Sequence, residues 1–254
     1  MRTLIAIPVY NEEAHVQRVL ARVRQYVPRC AQEILVIDDG STDGTAALLA
    51  RERGVRVFRH EGNLGYGRSL IDAFRWAQRE GFDWVVTMDC DEQHEPDRLP
   101  DFARAIAQDD ADIVSGSRYL DQQLQRSAPP ADRRAINAQL TRLINHTLGL
   151  ELTDAFCGYK AHRVEAMARL SLDEPGYAFP MQLWAQAWAF NLRVREIPVS
   201  LIYNDPNRSF GGPLDDPKAR LAHYLDVFRR ELARFGGPAR SMPVRGSCPL
   251  ECCR

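Results

Sequence analysis

Trp84-Val85-Val86-Thr87-Met88-Asp89-Cys90-Asp91-Glu92-Gln93-His94 joins an apolar run to a knot of polar and acidic residues. A short run rich in β-branched side chains, without alternation, reads as a strand buried on both faces, as in a parallel sheet. Its end is as informative as its middle. Asp89 and Asp91 are alternate residues just past the strand, so an extended chain turns both carboxylates the same way, and Gln93 continues that parity. Hard oxygen donors of this kind suit Mg²⁺ or Mn²⁺, ions that complete their shells with water and phosphate oxygens. Taken alone, Asp-x-Asp is equally a loop start with capping carboxylates.

Outward from this stretch the pattern repeats. Further strands are predicted at 3–7, 33–37, 55–59 and 112–116, alongside 84–88. Between them lie helical patterns at 12–26, where Val16, Val19, Leu20 and Val23 share a face, at 43–53 before Gly54, and at 66–80 before Gly81. Alternating strands and helices specify an α/β fold with a mostly parallel sheet flanked by helices. After Tyr119 the rhythm changes. Residues 122–130 are polar, end in Pro129-Pro130 and read as a mobile loop before a helix at 131–148. At 215–235, Leu221, Tyr224, Leu225, Phe228 and Leu232 recur at helical spacing among Arg220, Arg229, Arg230 and Arg234. This amphipathic helix is expected to dock on the core, with peripheral membrane attachment as the rarer alternative. The organisation is thus one α/β domain with halves at 1–120 and 121–212, the helix at 213–235, and a glycine-, proline- and serine-rich tail at 236–254 expected to be disordered.

With 254 residues, 45% of them apolar, and a net charge of -1, the chain can bury a full core. It lacks the basic excess of a protein devoted to nucleic acid. Cys30, Cys90, Cys157, Cys248, Cys252 and Cys253 form no CxxC pair or even framework, which fits a reducing, cytoplasmic setting. The three in the tail read as incidental thiols. No export signal is apparent in residues 1–8. The apolar stretch 178–190 contains Gln182 and Gln186 and is well short of the roughly 20 residues of a membrane span.

In an open α/β sheet, ligands sit beyond the carboxyl ends of the strands. Three such ends are unusually polar here: Pro8-Val9-Tyr10-Asn11-Glu12-Glu13, Asp38-Asp39-Gly40-Ser41-Thr42-Asp43-Gly44-Thr45, and the knot at Asp89. Asp38 serves as a helix cap or as a ligand, and Asp39 is better placed to meet a base or ribose. His60 and His94, with no HExxH pattern around them, read as packed or solvent-facing histidines.

Those three segments, with Asn63-Leu64-Gly65-Tyr66-Gly67 and Gly116-Ser117-Arg118-Tyr119, resemble inverting family 2 glycosyltransferases of the Rossmann-like GT-A fold. Within them the chain is most similar to the dolichol-phosphate mannose synthase group and its bacterial polyprenyl-phosphate relatives, from about Arg2 to Gly212. The resemblance implies that Pro8, Tyr10, Glu12 and Asp39 contact a nucleoside, while Asp89, Asp91 and Gln93 hold Mg²⁺ or Mn²⁺ and the sugar diphosphate. It implies phosphate-binding roles for Arg118, for Arg133 or Arg134, for Arg208, and for Lys160 and Arg163 of the stretch Thr153-Asp154-Ala155-Phe156-Cys157-Gly158-Tyr159-Lys160-Ala161-His162-Arg163.

The reaction so implied is hexose transfer from a nucleotide-sugar donor, GDP-mannose or UDP-glucose, to a polyprenyl or dolichyl phosphate acceptor at the cytoplasmic membrane face. A lipid phosphate arrives ionised and needs positive residues more than a base. A soluble or protein-linked hydroxyl acceptor would instead make Asp91 the first candidate for general base. A catalytically silent nucleotide-sugar-binding protein is the reading from another class. Two departures stand out: Phe179-Pro180-Met181-Gln182 lies where the group commonly has an acid, and the carboxyl-terminal membrane spans of some members are missing.

Overall fold

The computed structural model describes residues 1–204 and 209–236. Seven strands, β1 (Thr3–Val9), β2 (Glu33–Asp38), β3 (Arg56–Arg59), β4 (Trp84–Thr87), β5 (Ile113–Ser117), β6 (Lys160–Arg163) and β7 (Val194–Pro198), make one sheet in the order β3-β2-β1-β4-β6-β5-β7. Among these strands β6 alone runs antiparallel, against β4 and β5. The helices are α1 (Val16–Val23), α2 (Thr45–Leu49), α3 (Tyr66–Arg79), α4 (Leu99–Ala107), α5 (Ala131–Leu148), α6 (Val164–Ala168), α7 (Phe179–Ala189) and α8 (Pro217–Arg234).

Strands β1, β2 and β4 are largely apolar runs because both faces of the sheet are covered there. Ile5, Ile7, Val36 and Val86 pack with Val16 and Leu20 of α1 and Phe102 of α4 on one side. On the other, Leu4, Leu35 and Val85 share a core with Phe74 of α3, Leu140 of α5, Trp184 of α7 and Phe228 of α8. The two halves read from the sequence therefore close around common cores. At the edge, β3 pairs among the described residues only with β2, and all four of its residues are exposed.

Several boundaries move for identifiable reasons. The first helix starts at Val16 rather than residue 12: Asn11 takes φ 56°, and the Glu12 N–H donates to Thr45 Oγ1 at 2.8 Å. Residues 12–15 are thereby tied to the second loop. The second helix ends at Leu49, beyond which the segment to residue 53 offers only Ala50 and charged side chains for packing. The loop at 122–130 carries a 3₁₀ turn (Gln122–Leu124), with the Asp121 carboxylate accepting from the Gln123 N–H at 2.8 Å.

The amphipathic helix, expected at 215–235, docks on the core, with Tyr224, Val227 and Phe228 buried. Its Glu231 answers the two glutamines that interrupt the apolar run of α7, accepting from Gln182 Nε2 at 3.0 Å and Gln186 Nε2 at 2.8 Å. The amide oxygens of those glutamines accept the N–H groups of Ser171, Asp173 and Glu174 at 2.8–2.9 Å. A buried polar ladder thus fixes α7, α8 and the segment before α7 to one another. No helix among the described residues is long and apolar enough to cross a membrane. The tail cysteines lie outside the described residues.

Strand β6 is a departure from the sequence reading, which took Lys160 and Arg163 for a phosphate-binding stretch. Lys160 and His162 are buried in mid-sheet because α3 and α7 cover that face. Burial pushes the His162 imidazole from its ordinary 6.5 down to about 3, so the native chain keeps it neutral. Between those values the unfolded chain takes up a proton that the native chain refuses, and stability falls with pH. The urea midpoint of the protein is expected to drop as pH is lowered from about 6.5 toward about 3, and less steeply in His162→Leu. An unchanged slope in the variant would refute the neutral, buried assignment.

Candidate active site

A cavity of about 1050 Å³ opens beyond the carboxyl ends of β1, β2 and β4. Pro8, Tyr10, Glu12, Asp39, Asp89, Asp91, Gln93, Arg118 and Arg134 line it together, from stretches far apart in sequence. Lys160 and Arg163 are not among its lining residues. The Lys160 ammonium is buried, bonds the Cys157 carbonyl and lies 5.4 Å from the centre of the Trp184 ring. Arg163 pairs in register with Trp84, at the amino end of β4 and away from the cavity, and forms ion pairs with Asp109 and Asp112. Arg208 lies outside the described residues.

On the side of β1 and β2, backbone and side chains lace two loops together. Asn11 donates its N–H to Ser41 Oγ at 3.0 Å, and its amide oxygen accepts the Thr42 N–H at 2.8 Å. Asp38 proves to be a turn residue: it is buried, and its Oδ1 accepts the Ser41 N–H at 2.9 Å. Asp39, expected to meet a nucleoside, accepts the N–H groups of Leu64 and Gly65, both at 2.8 Å, and lies 2.6 Å from His60 Nδ1. Its carboxylate is an anchor that draws the 60–65 loop to the rim of the cavity.

The knot after β4 is held differently from the extended chain that parity suggested. The strand stops at Thr87 and Glu92 takes φ 62°, so Gln93 reaches the cavity through a turn. Glu92 points away, to Arg18 Nη2 at 2.9 Å, and the hydrogen bond from Arg18 is the main reason its carboxyl falls to about 2. His94 is packed, as expected: buried, stacked on Tyr159 at 5.0 Å, and accepting the Asp89 N–H on Nδ1 at 2.9 Å. Burial lowers its imidazole to about 4, which keeps that ring nitrogen available as the acceptor.

The Tyr66 hydroxyl donates to Asp89 Oδ1 at 3.0 Å, and burial next to that carboxylate holds the phenol well above its ordinary range, hence protonated. Gly158 leaves the space in which this happens: a Cβ there would stand 2.6 Å from the Tyr66 hydroxyl and 2.8 Å from Asp89 Oδ2. Among the described residues no three His, Cys, Asp or Glu side chains gather around one point. Asp89, Asp91 and Gln93 line the same cavity, and as oxygen donors they would fit a hard cation completed by oxygens of a bound ligand.

The far half of the cavity is cationic and aromatic. Arg118 spends its fork on Asp154, with Nε to Oδ2 at 2.6 Å and Nη2 to Oδ1 at 2.9 Å, rather than presenting it whole to a phosphate. Burial raises the Asp154 carboxyl, but Arg118 and the Asn137 amide outweigh that and hold it below the ordinary carboxylate range. Arg134 lies 5.0 Å from the centre of the Tyr119 ring, and Arg133 bonds the Tyr203 hydroxyl and sits 4.4 Å from the centre of the Phe210 ring.

Sequence reasoning missed Asp154 as the partner of Arg118, and missed Tyr66, Tyr177, Phe210, Arg220 and Tyr224 in the lining. One signal was present. Arg220, Tyr224, Val227 and Glu231 follow one helical stripe, so two charged residues fall on the face that docks. The crowding at Gly158 generates a test of the site. Gly158→Ala is expected to weaken Mn²⁺ binding at least about tenfold while the thermal melt stays cooperative, and parent-like Mn²⁺ binding would refute the assignment.

The chain is 32% identical over 216 residues to undecaprenyl-phosphate mannosyltransferase of Micrococcus luteus, covering 82% of this chain and 87% of the relative. It is 33% identical over 207 residues to polyprenol monophosphomannose synthase of Mycolicibacterium smegmatis, covering 78% and 77%. Its fold is that of GT-A glycosyltransferases, shared with glucosyl-3-phosphoglycerate synthase from Mycobacterium tuberculosis, solved in complex with Mn²⁺, UDP and glucosyl-3-phosphoglycerate. That superposition has a TM-score of 0.70 at 20% identity, covering 94% of this chain and 81% of the other. The family model described as glycosyl transferase family 2 matches residues 4–171, which span β1 to α6 and carry Asp39, Asp89 and Asp91, so the chain belongs to glycosyl transferase family 2.

Proposed function

We propose that the protein moves a hexose, with inversion, from GDP-mannose or UDP-glucose to the phosphate of a polyprenyl lipid. The observation that carries this reading is the meeting, in one cavity, of the Asp89–Asp91 knot and the arginines of the far half, Arg133 and Arg134. The names of the two relatives above, both prenyl-phosphate enzymes, support the acceptor class.

One displacement suffices. An oxygen of the acceptor phosphate forms a bond to the anomeric carbon as the bond from that carbon to the diphosphate oxygen breaks, and the nucleoside diphosphate leaves with the electron pair. A phosphate monoester loses its second proton near pH 6, so the attacking group needs no general base at neutral pH. Arg133 and Arg134 offset its charge and fix its approach. Pro8, Tyr10 and Glu12 border the nucleoside, and Asp39 acts through the loop it anchors. Asp89, Asp91 and Gln93 would hold Mg²⁺ or Mn²⁺, which supplies Lewis-acid stabilisation of charge on the departing diphosphate. Tyr66, donating its hydroxyl to Oδ1, keeps Asp89 in place. Such a protein works as a peripheral visitor to the cytoplasmic membrane face.

Labelled GDP-mannose and UDP-glucose, each incubated with undecaprenyl phosphate with Mn²⁺ or with a chelator, test this. Label in the organic phase is expected with one donor and with metal only. Unlabelled lipid with both donors, or labelling that survives the chelator, refutes it. Asp91→Ala is expected to lower turnover at least about a hundredfold with the fold retained.

A further inference from the structure

His60 follows β3, is 6% exposed and is not among the residues that line the cavity. Both of its ring nitrogens face carboxylates. Nδ1 lies 2.6 Å from Oδ1 of Asp39, which does line the cavity, and Nε2 lies 3.2 Å from Oδ2 of Asp72 on α3. The Phe58 ring meets the imidazole edge-on at 5.5 Å. Asp72 has further partners, since Arg68 Nε donates to its Oδ2 at 2.6 Å and Arg75 Nη1 to its Oδ1 at 3.1 Å. Among the described residues, His60 is the sole basic side chain paired with Asp39. Of its neighbours in the chain, Arg59 pairs with Asp38 at 3.3 Å and Glu61 is exposed.

Asp39 and the 60–65 segment are built as one unit. The His60 N–H donates to the Asp38 carbonyl at 2.9 Å, and the Leu64 and Gly65 N–H groups donate to the Asp39 carboxylate. A Cβ at Gly40 would stand 2.4 Å from the Gly62 backbone, so the two turns press directly on each other. Asn63 and Gly65 of this segment border the cavity beside Asp39. An ionised carboxylate only accepts, so the protons of the clasp come from the ring. A neutral imidazole has one N–H and one lone pair: it satisfies one carboxylate and sets its lone pair against the other. With a proton on each nitrogen the ring donates to both, and both bonds are charge-assisted.

We propose that His60 is a positioning residue for the donor: doubly protonated, it clasps Asp39 to α3 and holds the 60–65 segment where the nucleoside is received, so that donor affinity is linked to a proton on this ring. This rests on the reading above that sets the nucleoside beside the loop Asp39 anchors. The sign follows from the bonds. Raising the pH strips the second proton, one of the two charge-assisted bonds is lost, and Asp39 and its segment relax from the arrangement that fits the donor. A lost hydrogen bond of this kind corresponds to at least about tenfold in affinity.

The test is calorimetric binding of GDP-mannose and of UDP-glucose with Mn²⁺ and without acceptor, from about pH 5 to about pH 8. Neither donor carries a phosphate monoester that would titrate in that range. Mn²⁺ affinity measured alone over the same range removes the metal's own dependence. The donor that binds is expected to lose at least about tenfold in affinity across the range in the parent. His60→Asn, whose amide can still donate to Asp39, and Asp72→Asn, which removes the second carboxylate outside the cavity, are each expected to flatten that loss to within about twofold, with cooperative thermal melts. A flat parent overturns the proposal. Weaker binding in His60→Asn with the parent's slope retained makes the ring a structural prop and also overturns it. Should His60→Asn melt without cooperativity, Asp72→Asn decides, and the parent's slope there overturns the proposal. Absence of binding of either donor to the parent, with Mn²⁺ still bound, overturns the donor reading itself and the role of His60 with it.

Discussion

The ion pair between Arg118 and Asp154 is the joint on which both halves of the protein close. Arg118 follows β5, and Asp154 precedes β6 and is fully buried. Asn137 of α5 adds a bond to the same carboxylate, while Glu196 of β7 accepts the N–H groups of Thr153 and Asp154 at 2.8 and 3.0 Å. Arg118 after β5 and Asn137 of α5 therefore meet at this carboxylate, and β7 holds the backbone that carries it. Removing one partner of such a pair strands a buried charge, at a cost of about 3–5 kcal/mol. One arrangement thereby serves the fold and the cavity: Arg118, which lines the cavity, is aimed by the aspartate that ties β5, β6, β7 and α5 together.

A second polar system performs the same task on the other flank. The ladder of Gln182, Gln186 and Glu231 holds the segment before α7, and that segment presses on the loop leading into α3. The Pro175 carbonyl accepts the Arg68 N–H at 3.0 Å, and a Cβ at Gly65 would lie 2.3 Å from the same oxygen. Tyr177 stacks on Tyr66 at 5.7 Å, and Tyr66 holds Asp89. The docking of α8 is thereby connected, contact by contact, to the geometry of the acidic knot.

How much of this is legible in the sequence follows from what each residue contacts. Strands β1, β2 and β4 announce themselves because parallel strands covered on both faces must be apolar throughout. The polar strand ends follow from the same topology, which places function beyond the carboxyl ends. Strand β6 is illegible: Lys-Ala-His-Arg lacks an apolar pattern and becomes a central strand only because neighbouring strands supply its ladder and α3 and α7 its cover. The phosphate role of Arg163 rests on the resemblance of the stretch 153–163 alone, and a resemblance in sequence does not tell which end of the sheet a residue reaches. Arg118 was found and its partner was not, because the two lie 36 residues apart and only the fold brings them together. The glutamines of α7 were visible as interruptions, but their meaning lies in Glu231, on another helix.

The exposed edge strand β3 has a consequence for the behaviour of the molecule in solution. Its sequence, Arg56-Val57-Phe58-Arg59, places two exposed apolar residues, 41% and 37% accessible, on a row of backbone groups with no strand beyond it among the described residues. Such a row invites a second chain to add itself, as in fibrillar aggregates. Here an arginine stands at each end, and antiparallel addition of an identical strand would set like charges opposite one another. The four residues thus carry charged gatekeepers against antiparallel addition of a second copy at this edge.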